Sequence, residues 1–393
     1  MTQILNGLDV LLEDPKRFIK GTRIGLVVNH TSLAQDQKHS IFHFKNDKHF
    51  ALQKLFAPEH GLYGTAQDMA AVGHHTDPDC GLNVISLYGD RASSLSPDTG
   101  NLENIDTLIF DIQDIGSRYY TFIYTMANCM EACRKTGVSM VVCDRPNPIN
   151  GVQVEGNRIE DSCRSFVGQY PIANRHGMTA GELALLFNQQ FDIGCDLTVV
   201  SMKGWQRDMW FDATGMTWVP PSPNMPSLST ATVYPGMCLV EGTQLSEGRG
   251  TTLPFEHCGA PFIDARTLVE NLNRENLPGV FFRPHYFKPM FQKYAGKTCG
   301  GIQLHVTDRS IFKPVLTGVA VIMTIATLYP NEFAWRTDSY EFVEDPPAID
   351  LLYGNSQLRK TFLKDTIPLA PIEESWKSDL NDFKILRKDF LIY

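Results

Sequence analysis

The sequence has no hydrophobic run near the length of about 18 residues that a membrane-spanning helix needs. It also lacks a block of Lys and Arg, and its formal net charge is −9 with a pI of about 5.7. Nucleic acid and anionic membrane surfaces are therefore poor partners for it. The N-terminus has no basic segment followed by an apolar one, so it does not read as a signal peptide. We expect a cytoplasmic protein, or a periplasmic one if an export signal has been removed.

Several motifs of cofactor and metal sites are also missing. The nine cysteines include no Cys-x-x-Cys pair, which disfavours a structural zinc site, and Cys143 lies in an apolar run typical of a buried, reduced thiol. There is no Gly-x-Gly-x-x-Gly, no Walker sequence and no Gly-x-Ser-x-Gly. Dinucleotide, nucleoside triphosphate and serine-nucleophile chemistry are therefore disfavoured, and we expect no cofactor.

Apolar segments separated by helical patterns are present instead. Strands are predicted at residues 23–28, 52–57, 84–87, 107–110, 138–143 and 197–201, and helices at 11–21, 40–47, 117–135 and 179–191. Strands that are apolar throughout indicate a parallel sheet covered on both faces. The sequence thus predicts an α/β fold with a Rossmann-like, mostly parallel sheet and helices on both faces.

The Pro-rich loop 220–226 interrupts this pattern and suggests a domain boundary. We expect a catalytic domain at 1–230 and a smaller α+β auxiliary domain at 231–393 that completes the cleft. Its predicted elements are helices at 264–273 and 314–328 and strands at 280–283 and 301–306.

Polar side chains follow four of the predicted parallel strands. Because such strand ends open on one edge of the sheet, we expect these side chains to converge on one crevice. The residues concerned are Asn29, His30, Glu59, His60, Asp111, Asp114, Asp144, Arg145 and Asn147.

Two chemistries compete in that crevice. Carboxylates can act as general acid and base in glycoside cleavage, with Glu59, His60, Asp111 and Asp114 as the catalytic candidates. Alternatively, His30, His60 and His176 with Asp111 or Asp114 can hold a metal for a hydrolase. A saccharide-binding protein without catalytic activity is the third possibility.

Further residues are predicted to bind the substrate. Arg118, Arg145 and Arg249 are candidates for binding a substrate carboxylate. Arg249 lies in the Gly-rich loop 241–252, whose polar side chains suit an anion or sugar hydroxyls. The full substrate-binding set comprises Asn29, His30, Arg118, Tyr119, Asp144, Arg145, Asn147, His176, Glu247, Arg249 and Thr251.

The chain resembles the exo-β-N-acetylmuramidases, peptidoglycan hydrolases formerly catalogued as a domain of unknown function. Matching segments in family order are GLVVNHTS (25–32), LFAPEHGLYG (55–64), SLYG (86–89), IFDIQDIGSRYYTFIYTM (109–126), CDRPNPINGVQVEG (143–156), RHGMTAGELA (175–184), PPSPNMPS (220–227) and YPGMCLVEGTQLSEGRGTTLPFEHCGAP (234–261). The resemblance implies a Rossmann-like domain, an auxiliary domain, a cleft between them, and release of N-acetylmuramic acid from the non-reducing ends of peptidoglycan fragments. It also implies that the glutamate of the Pro-Glu-His-Gly segment, Glu59, is catalytic. The implied partner is thus a small saccharide, a muropeptide or N-acetylmuramyl disaccharide.

Overall fold

The computed structural model describes residues 3–362 and 368–393 and contains two sheets. The larger sheet has seven strands: β1 Arg23–Val28, β2 Ala51–Ala57, β3 His75–Thr76, β4 Asn83–Ser86, β5 Thr107–Asp111, β6 Ser139–Cys143 and β7 Leu197–Val200. Their order in the sheet is β3-β4-β2-β1-β5-β6-β7. All the strand pairs are parallel except β3 with β4 at the edge. The predicted mostly parallel sheet is confirmed.

The smaller sheet is antiparallel and belongs to the C-terminal part of the chain. Its order is β8-β10-β9, with β8 His257–Ala260, β9 Val280–Phe287 and β10 Cys299–Val306. The α-helices are α1 Gly7–Glu13, α2 Ser40–Lys45, α3 Phe122–Thr136, α4 Ala180–Gln190, α5 Leu228–Met237, α6 Ala265–Arg274, α7 Pro314–Leu328, α8 Ala348–Tyr353, α9 Gln357–Phe362, α10 Leu369–Ser375 and α11 Lys377–Arg387. None of the helices in the described part of the chain combines the length and apolar character that crossing a membrane demands.

Alternate side chains of the central strands pack on opposite faces of the large sheet, as the pleat requires. Leu108 and Phe110 of β5 join the core that contains α3 and α4, whereas Ile109 joins the core formed with Leu8 of α1 and Phe44 of α2. Both faces are thus covered by helices, which explains why these strands are apolar throughout.

The predicted helix at 11–21 is wrong. Asn6 caps the first helix: Asn6 Oδ1 accepts from the Asp9 amide and Asp9 Oδ2 accepts from the Asn6 amide, each at 3.0 Å. The helix ends at Glu13 and is followed by a short 3-10 turn at Pro15–Arg17. The chemistry of Asn6 and Asp9 is that of a capping box, which the sequence-based prediction overlooked.

The helix predicted at 117–135 begins later, at Phe122. Ser117 pairs with Arg175 in an isolated β-bridge, and the Arg118 amide donates to the Asn174 carbonyl at 2.8 Å. These long-range bonds hold residues 117–121 as a loop. Helix α4, by contrast, lies within the predicted range 179–191, and Thr179 and Glu182 form a capping box at its start.

The two halves of the chain share one continuous core. Helix α5 crosses α7 so closely that a Cβ on Gly236 would lie 1.7 Å from the Pro314 carbonyl oxygen. A Cβ on Gly318 would meet the Gly236 backbone in the same way, at 2.1 Å from its oxygen. Glycine is therefore required on both helices where their backbones touch.

Candidate active site

Glu59 stands directly after β2, where the chain leaves the sheet in a sharp turn. His60 and Gly61 have left-handed φ angles of +70° and +79°. Glu59 is 5% exposed. Its Oε1 accepts a hydrogen bond from the Met69 amide at 3.2 Å, and its Oε2 accepts one from Thr121 Oγ1 at 2.8 Å. Both carboxyl oxygens are thus held by donors.

The carboxyl group of Glu59 belongs to the wall of a cavity between the two halves of the chain, here called the Glu59 cavity. It is narrow, with a volume of about 40 Å³, or about 500 Å³ of empty space when the region open to solvent is included. Acidic, basic and aromatic side chains from both halves line it. They include Glu59, His60, Asp68, Tyr119, Tyr120, Thr121 and Phe122 from the first half and Tyr234, Glu241, Arg249, Phe255, Tyr340 and Glu341 from the second.

His60 presents its imidazole to the same cavity. Its Nδ1 lies 2.9 Å from the Ala66 carbonyl oxygen. Because a carbonyl can only accept, Nδ1 carries the proton and Nε2 has the free lone pair. The ring meets Phe122 edge-on, with centroids 6.5 Å apart. His60 therefore offers an acceptor beside Glu59 when neutral.

Arg249 is the only arginine among the described residues that line the Glu59 cavity. Its Nη1 lies 3.2 Å from Asp68 Oδ1 and its Nη2 lies 2.7 Å from Glu241 Oε1. Its Nε is 3.5 Å from Glu247 Oε1, whose other oxygen pairs with Lys293 Nζ at 2.9 Å. Burial by itself would lower the pKa of Arg249, but the surrounding carboxylates raise it well above its ordinary value.

Glu341 supplies a second carboxyl group beside that of Glu59. It lies in a turn with left-handed φ angles of +47° at Glu341 and +67° at Phe342. Its Oε2 accepts a hydrogen bond from Tyr88 Oη at 2.8 Å. Burial, and then the negative charge of Glu59, raise the pKa of Glu341 well above its ordinary value, and the Tyr88 hydrogen bond opposes that rise. Four carboxyl groups of the described residues line the cavity, and among them Glu59 acts most strongly on Glu341, ahead of Glu241 and Asp68.

Comparison with known proteins bears on this arrangement. Residues 24–229 match a family model described as the N-terminal part of the exo-β-N-acetylmuramidase NamZ, and residues 232–393 match the model of its C-terminal part. The chain belongs to the exo-β-N-acetylmuramidase family. The peptidoglycan β-N-acetylmuramidase NamZ of Bacillus subtilis (strain 168) is 46% identical over 391 residues, which cover 100% of this chain and 92% of that protein.

Two crystal structures of Bacteroides fragilis proteins, both described as members of the DUF1343 family, have the same fold. One superimposes with a TM-score of 0.90 at 33% identity and covers 100% of both chains. The other has a TM-score of 0.76 at 29% identity, covering 100% of this chain and 99% of that one. The resemblance inferred from the sequence motifs is therefore confirmed.

In this exo-β-N-acetylmuramidase family member, the predicted site residues do not all meet. Glu59, His60, Tyr119 and Arg249 line the Glu59 cavity, and the Tyr119 hydroxyl donates to the Pro235 carbonyl. The remaining predicted residues do not line it: Asn29, His30, Asp111, Asp114, Arg118, Asp144, Arg145, Asn147, His176, Glu247 and Thr251.

Asp111 and Arg145 form a buried ion pair. The Arg145 Nε lies 2.6 Å from Asp111 Oδ1, and Asp111 is 0% exposed. Asp114 Oδ2 accepts from the Gly116 amide at 2.8 Å and lies 3.4 Å from His176 Nε2, with both side chains buried. Asp111 is thus paired within the protein and has no exposed surface to offer a sugar, although its Oδ2 and Asp114 Oδ1 are buried without a hydrogen-bond partner among the described residues.

Arg118 is buried completely, and its two terminal nitrogens donate to four backbone carbonyls. The sequence predicts that Arg118 binds a substrate carboxylate, but no part of its side chain is exposed. Asp144 is likewise 0% exposed: its oxygens accept from Thr179 Oγ1 at 2.7 Å and from the Gly181 amide at 2.8 Å, at the start of α4. Burial raises the pKa of Asp144 to about 7. We therefore omit both residues from the proposed substrate-binding set.

The remaining predicted residues hold loops in place. Asn147 Nδ2 donates to the Met178 carbonyl at 2.9 Å, and Asn29 Oδ1 accepts from the Thr31 amide at 2.9 Å. Thr251 Oγ1 donates to the Gly248 carbonyl at 2.6 Å, and His30 Nε2 lies 2.5 Å from the Pro220 carbonyl oxygen. Among the described residues, no three His, Cys, Asp or Glu side chains cluster in a way that suits a metal ion.

Sequence reasoning missed Glu341, Tyr88, Asp68 and Glu241. Glu241 is the first residue of the Gly-rich loop 241–252, whose polar composition already indicates a ligand-binding loop. Glu341 lies in the stretch Ser-Tyr-Glu-Phe-Val-Glu, which contains no recognisable motif. Only the packing of this turn against the first half of the chain brings Glu341 to the cavity.

Proposed function

We propose that this chain is an exo-acting glycoside hydrolase that releases N-acetylmuramic acid from the non-reducing ends of peptidoglycan fragments during cell-wall turnover and recycling. One observation carries the proposal: a Glu59 carboxyl group stands at an interdomain cavity in a chain 46% identical to a peptidoglycan β-N-acetylmuramidase. Glu59 is the proposed general acid/base.

The proposed chemistry depends on the pair of carboxyl groups. Two acidic groups that face one buried cavity do not both ionise readily, because like charges in a low-dielectric site repel. Burial, and then the charge of Glu59, raise the pKa of Glu341, which favours the protonated form of that carboxyl group. In the proposed reaction Glu59 gives a proton to the departing sugar oxygen as the glycosidic bond breaks, and negative charge in the cavity stabilises the oxocarbenium-like transition state. A water molecule then adds to the anomeric carbon and returns a proton to the carboxyl group.

A sugar ring requires the Glu59 cavity to widen. Its enclosed volume of about 40 Å³ has room for a few water molecules and not for a sugar ring. Polar contacts that join the two halves of the chain at this cavity include Gln292 Nε2 to Asp68 Oδ1 at 2.7 Å, Arg249 Nη1 to Asp68 Oδ1 at 3.2 Å and Tyr88 Oη to Glu341 Oε2 at 2.8 Å. We propose that the Gln292 bond, the one of these three with an exposed donor side chain, breaks when the substrate enters.

The proposed compartment is the cytoplasm, where the enzyme would act on fragments taken up by the cell. All nine cysteines are free thiols, and eight of them are buried. Free thiols in this number fit a reducing compartment.

Substitution of Glu59 tests the proposal. Glu59→Gln keeps the side-chain shape but cannot exchange a proton, so kcat on a chromogenic β-N-acetylmuramide should fall by about 10²–10⁴-fold. Glu341→Gln should also lose most activity, whereas Glu344→Gln, an exposed glutamate of the same loop, should keep it. Circular dichroism and thermal unfolding should be unchanged in all three variants.

Two outcomes would contradict the proposal. Wild-type kcat in Glu59→Gln would remove this residue from the reaction. Calorimetric binding of N-acetylmuramyl disaccharide by the wild-type protein, without product after long incubation, would instead indicate a saccharide-binding protein.

A further inference from the structure

A second and larger cavity, of about 600 Å³, opens at the carboxyl edge of the large sheet. Thr31 beyond β1, Gln113 beyond β5 and Arg145 beyond β6 line it. The chain winds from β1 towards β2 and β4, and from β5 towards β6 and β7, so the strand order reverses between β1 and β5. This reversal is the point at which open α/β sheets bind ligands. We call this space the switch-point cavity.

The switch-point cavity is separate from the Glu59 cavity. Within the described residues the two share no lining side chain, and those of the switch-point cavity all precede Pro220. One short segment nevertheless borders both: Val219 lines the first and Ser222 the second. Three residues of chain span at most about 11 Å, so the two walls are close neighbours.

The lining of the switch-point cavity is rich in amides and nearly neutral. Met209, Phe211 and Trp218 contribute thioether and aromatic surface to the lining. The six side-chain amides are those of Gln3, Asn6, Gln35, Gln37, Gln113 and Gln206. An amide both donates and accepts hydrogen bonds, as sugar hydroxyl and acetamido groups do. This composition suits a neutral saccharide that places one apolar face on an aromatic ring.

The charged groups at the switch-point cavity disfavour an anionic ligand. Arg145 is engaged through Nε by Asp111 Oδ1 at 2.6 Å and through Nη2 by the Leu33 carbonyl at 3.1 Å. Asp9, the other charged lining residue, lies close enough to interact electrostatically with Arg145. The positive charge is therefore already balanced by two carboxyl groups.

Polar atoms without protein partners remain in this lining. Gln113 Nε2 donates to the carbonyls of Asp114 at 2.7 Å and Pro146 at 2.8 Å, which orients the amide and leaves its Oε1 without a partner among the described residues. Trp218 Nε1 also has no partner in the same part of the chain, but it is buried, so the indole can offer a ligand its ring and not its N–H. Gln113 Oε1 is thus an unsatisfied acceptor in the lining.

We propose that the switch-point cavity binds a neutral N-acetylated saccharide, such as the N-acetylglucosamine part of a glycan. That the saccharide belongs to a peptidoglycan fragment rests on the proposed function, whereas the site itself rests on the cavity and its lining. A glycan held there would be anchored beside the cavity in which its end is cleaved.

Calorimetry with N,N′-diacetylchitobiose tests the site without requiring hydrolysis. The wild-type protein should bind this disaccharide, and cellobiose, which lacks acetamido groups, should bind at least tenfold more weakly. Thr217→Trp places a bulky ring on an exposed lining position and should weaken binding at least tenfold. Thr327→Trp, on an exposed position of α7 outside the cavity, is the matched control and should bind like the wild type.

A second variant tests the site in case Thr217→Trp does not fold. Gln206 is exposed, and its side chain has no hydrogen bond to the described residues, so Gln206→Ala should fold normally and bind roughly threefold to tenfold more weakly. Absence of chitobiose binding in the wild type, or equal binding by all variants, would overturn the proposal. Equal binding of cellobiose would overturn its acetamido specificity. Chitobiose binding that is lost in Thr217→Trp, in a protein that cleaves no muramide, would refute the proposed function and support this site.

Discussion

Substitution of Arg118 by methionine should destabilise the protein and leave substrate binding unchanged. Arg118 Nη1 donates to the carbonyls of Asn157 at 2.7 Å and Ile172 at 3.0 Å. Its Nη2 donates to those of Leu352 at 3.0 Å and Tyr353 at 2.8 Å in α8. The guanidinium therefore connects the N-terminal half of the chain to α8 of the C-terminal half. Methionine has a similar length but no donor, so it leaves these carbonyls without their partner.

The size of the effect follows from two opposing contributions. Each hydrogen bond to a charged group contributes about 1.5–3 kcal/mol to stability. Loss of all four therefore lowers the free energy of unfolding by about 6–12 kcal/mol, before the cost of burying the guanidinium is subtracted. Burying the guanidinium costs several kcal/mol, and this cost disappears in the variant. The same burial lowers the pKa of Arg118. We expect a net loss of about 3–5 kcal/mol in the free energy of unfolding.

Urea unfolding followed by tryptophan fluorescence measures this loss. For a slope of about 3 kcal/mol per molar urea, the midpoint should fall by about 1–2 M. KM for the chromogenic muramide, measured where the variant is folded, should not change. Arg164→Met is the control: Arg164 pairs with Asp161 at the surface and should cost less than about 1 kcal/mol.

The opposite pattern would refute this reasoning. If Arg118→Met had the wild-type urea midpoint and a KM raised tenfold or more, Arg118 would contact the substrate, as predicted from the sequence.

Two further predictions concern the carboxyl pair and a helix cap. Tyr88→Phe removes the hydrogen bond that lowers the pKa of Glu341, so this raised pKa should rise further. The pair then keeps its proton to higher pH, and the alkaline limb of the kcat/KM profile should move upwards; an unmoved or downward-shifted limb would contradict the assignment. Thr179→Ala removes the oxygen that accepts from the Glu182 amide at 3.3 Å, and should cost about 1–2 kcal/mol in thermal or urea unfolding. Unchanged stability would show that the Asp144 carboxylate, also bonded to Thr179, takes over the cap.

The elements that the sequence predicted well are those whose pattern is local. Strands β1 and β5 and helices α4 and α7 lie within a residue or two of their predicted bounds, because apolar runs, caps and Pro or Gly punctuation are properties of neighbouring residues. The family resemblance rests on segments of the same kind. Where long-range bonds override local pattern, as at residues 117–121, the predicted boundary was wrong.

The expected convergence of strand-end residues on one crevice was only partly right. Residues beyond β1, β5 and β6 contribute to the switch-point cavity, whereas Glu59 beyond β2 faces a different one. The sheet edge is wide enough for two cavities, and the loop containing Val219 and Ser222 separates them. Strand order, which no local pattern reveals, decides which loops are neighbours.

By itself, the sequence determined most of the strands and several of the helices, the α/β class, the family and the candidate Glu59, since these depend on short segments. The tertiary structure decided which charged side chains are buried and bonded within the protein and which line a cavity. Arg118 and Asp144 have the same chemistry as active-site residues, yet both are enclosed by backbone and hydroxyl partners. Glu341 has no motif around it, yet folding sets its carboxyl group beside that of Glu59. The physical reason is that burial and neighbouring charge, which govern a carboxyl group's proton affinity, are supplied by residues far away in the chain.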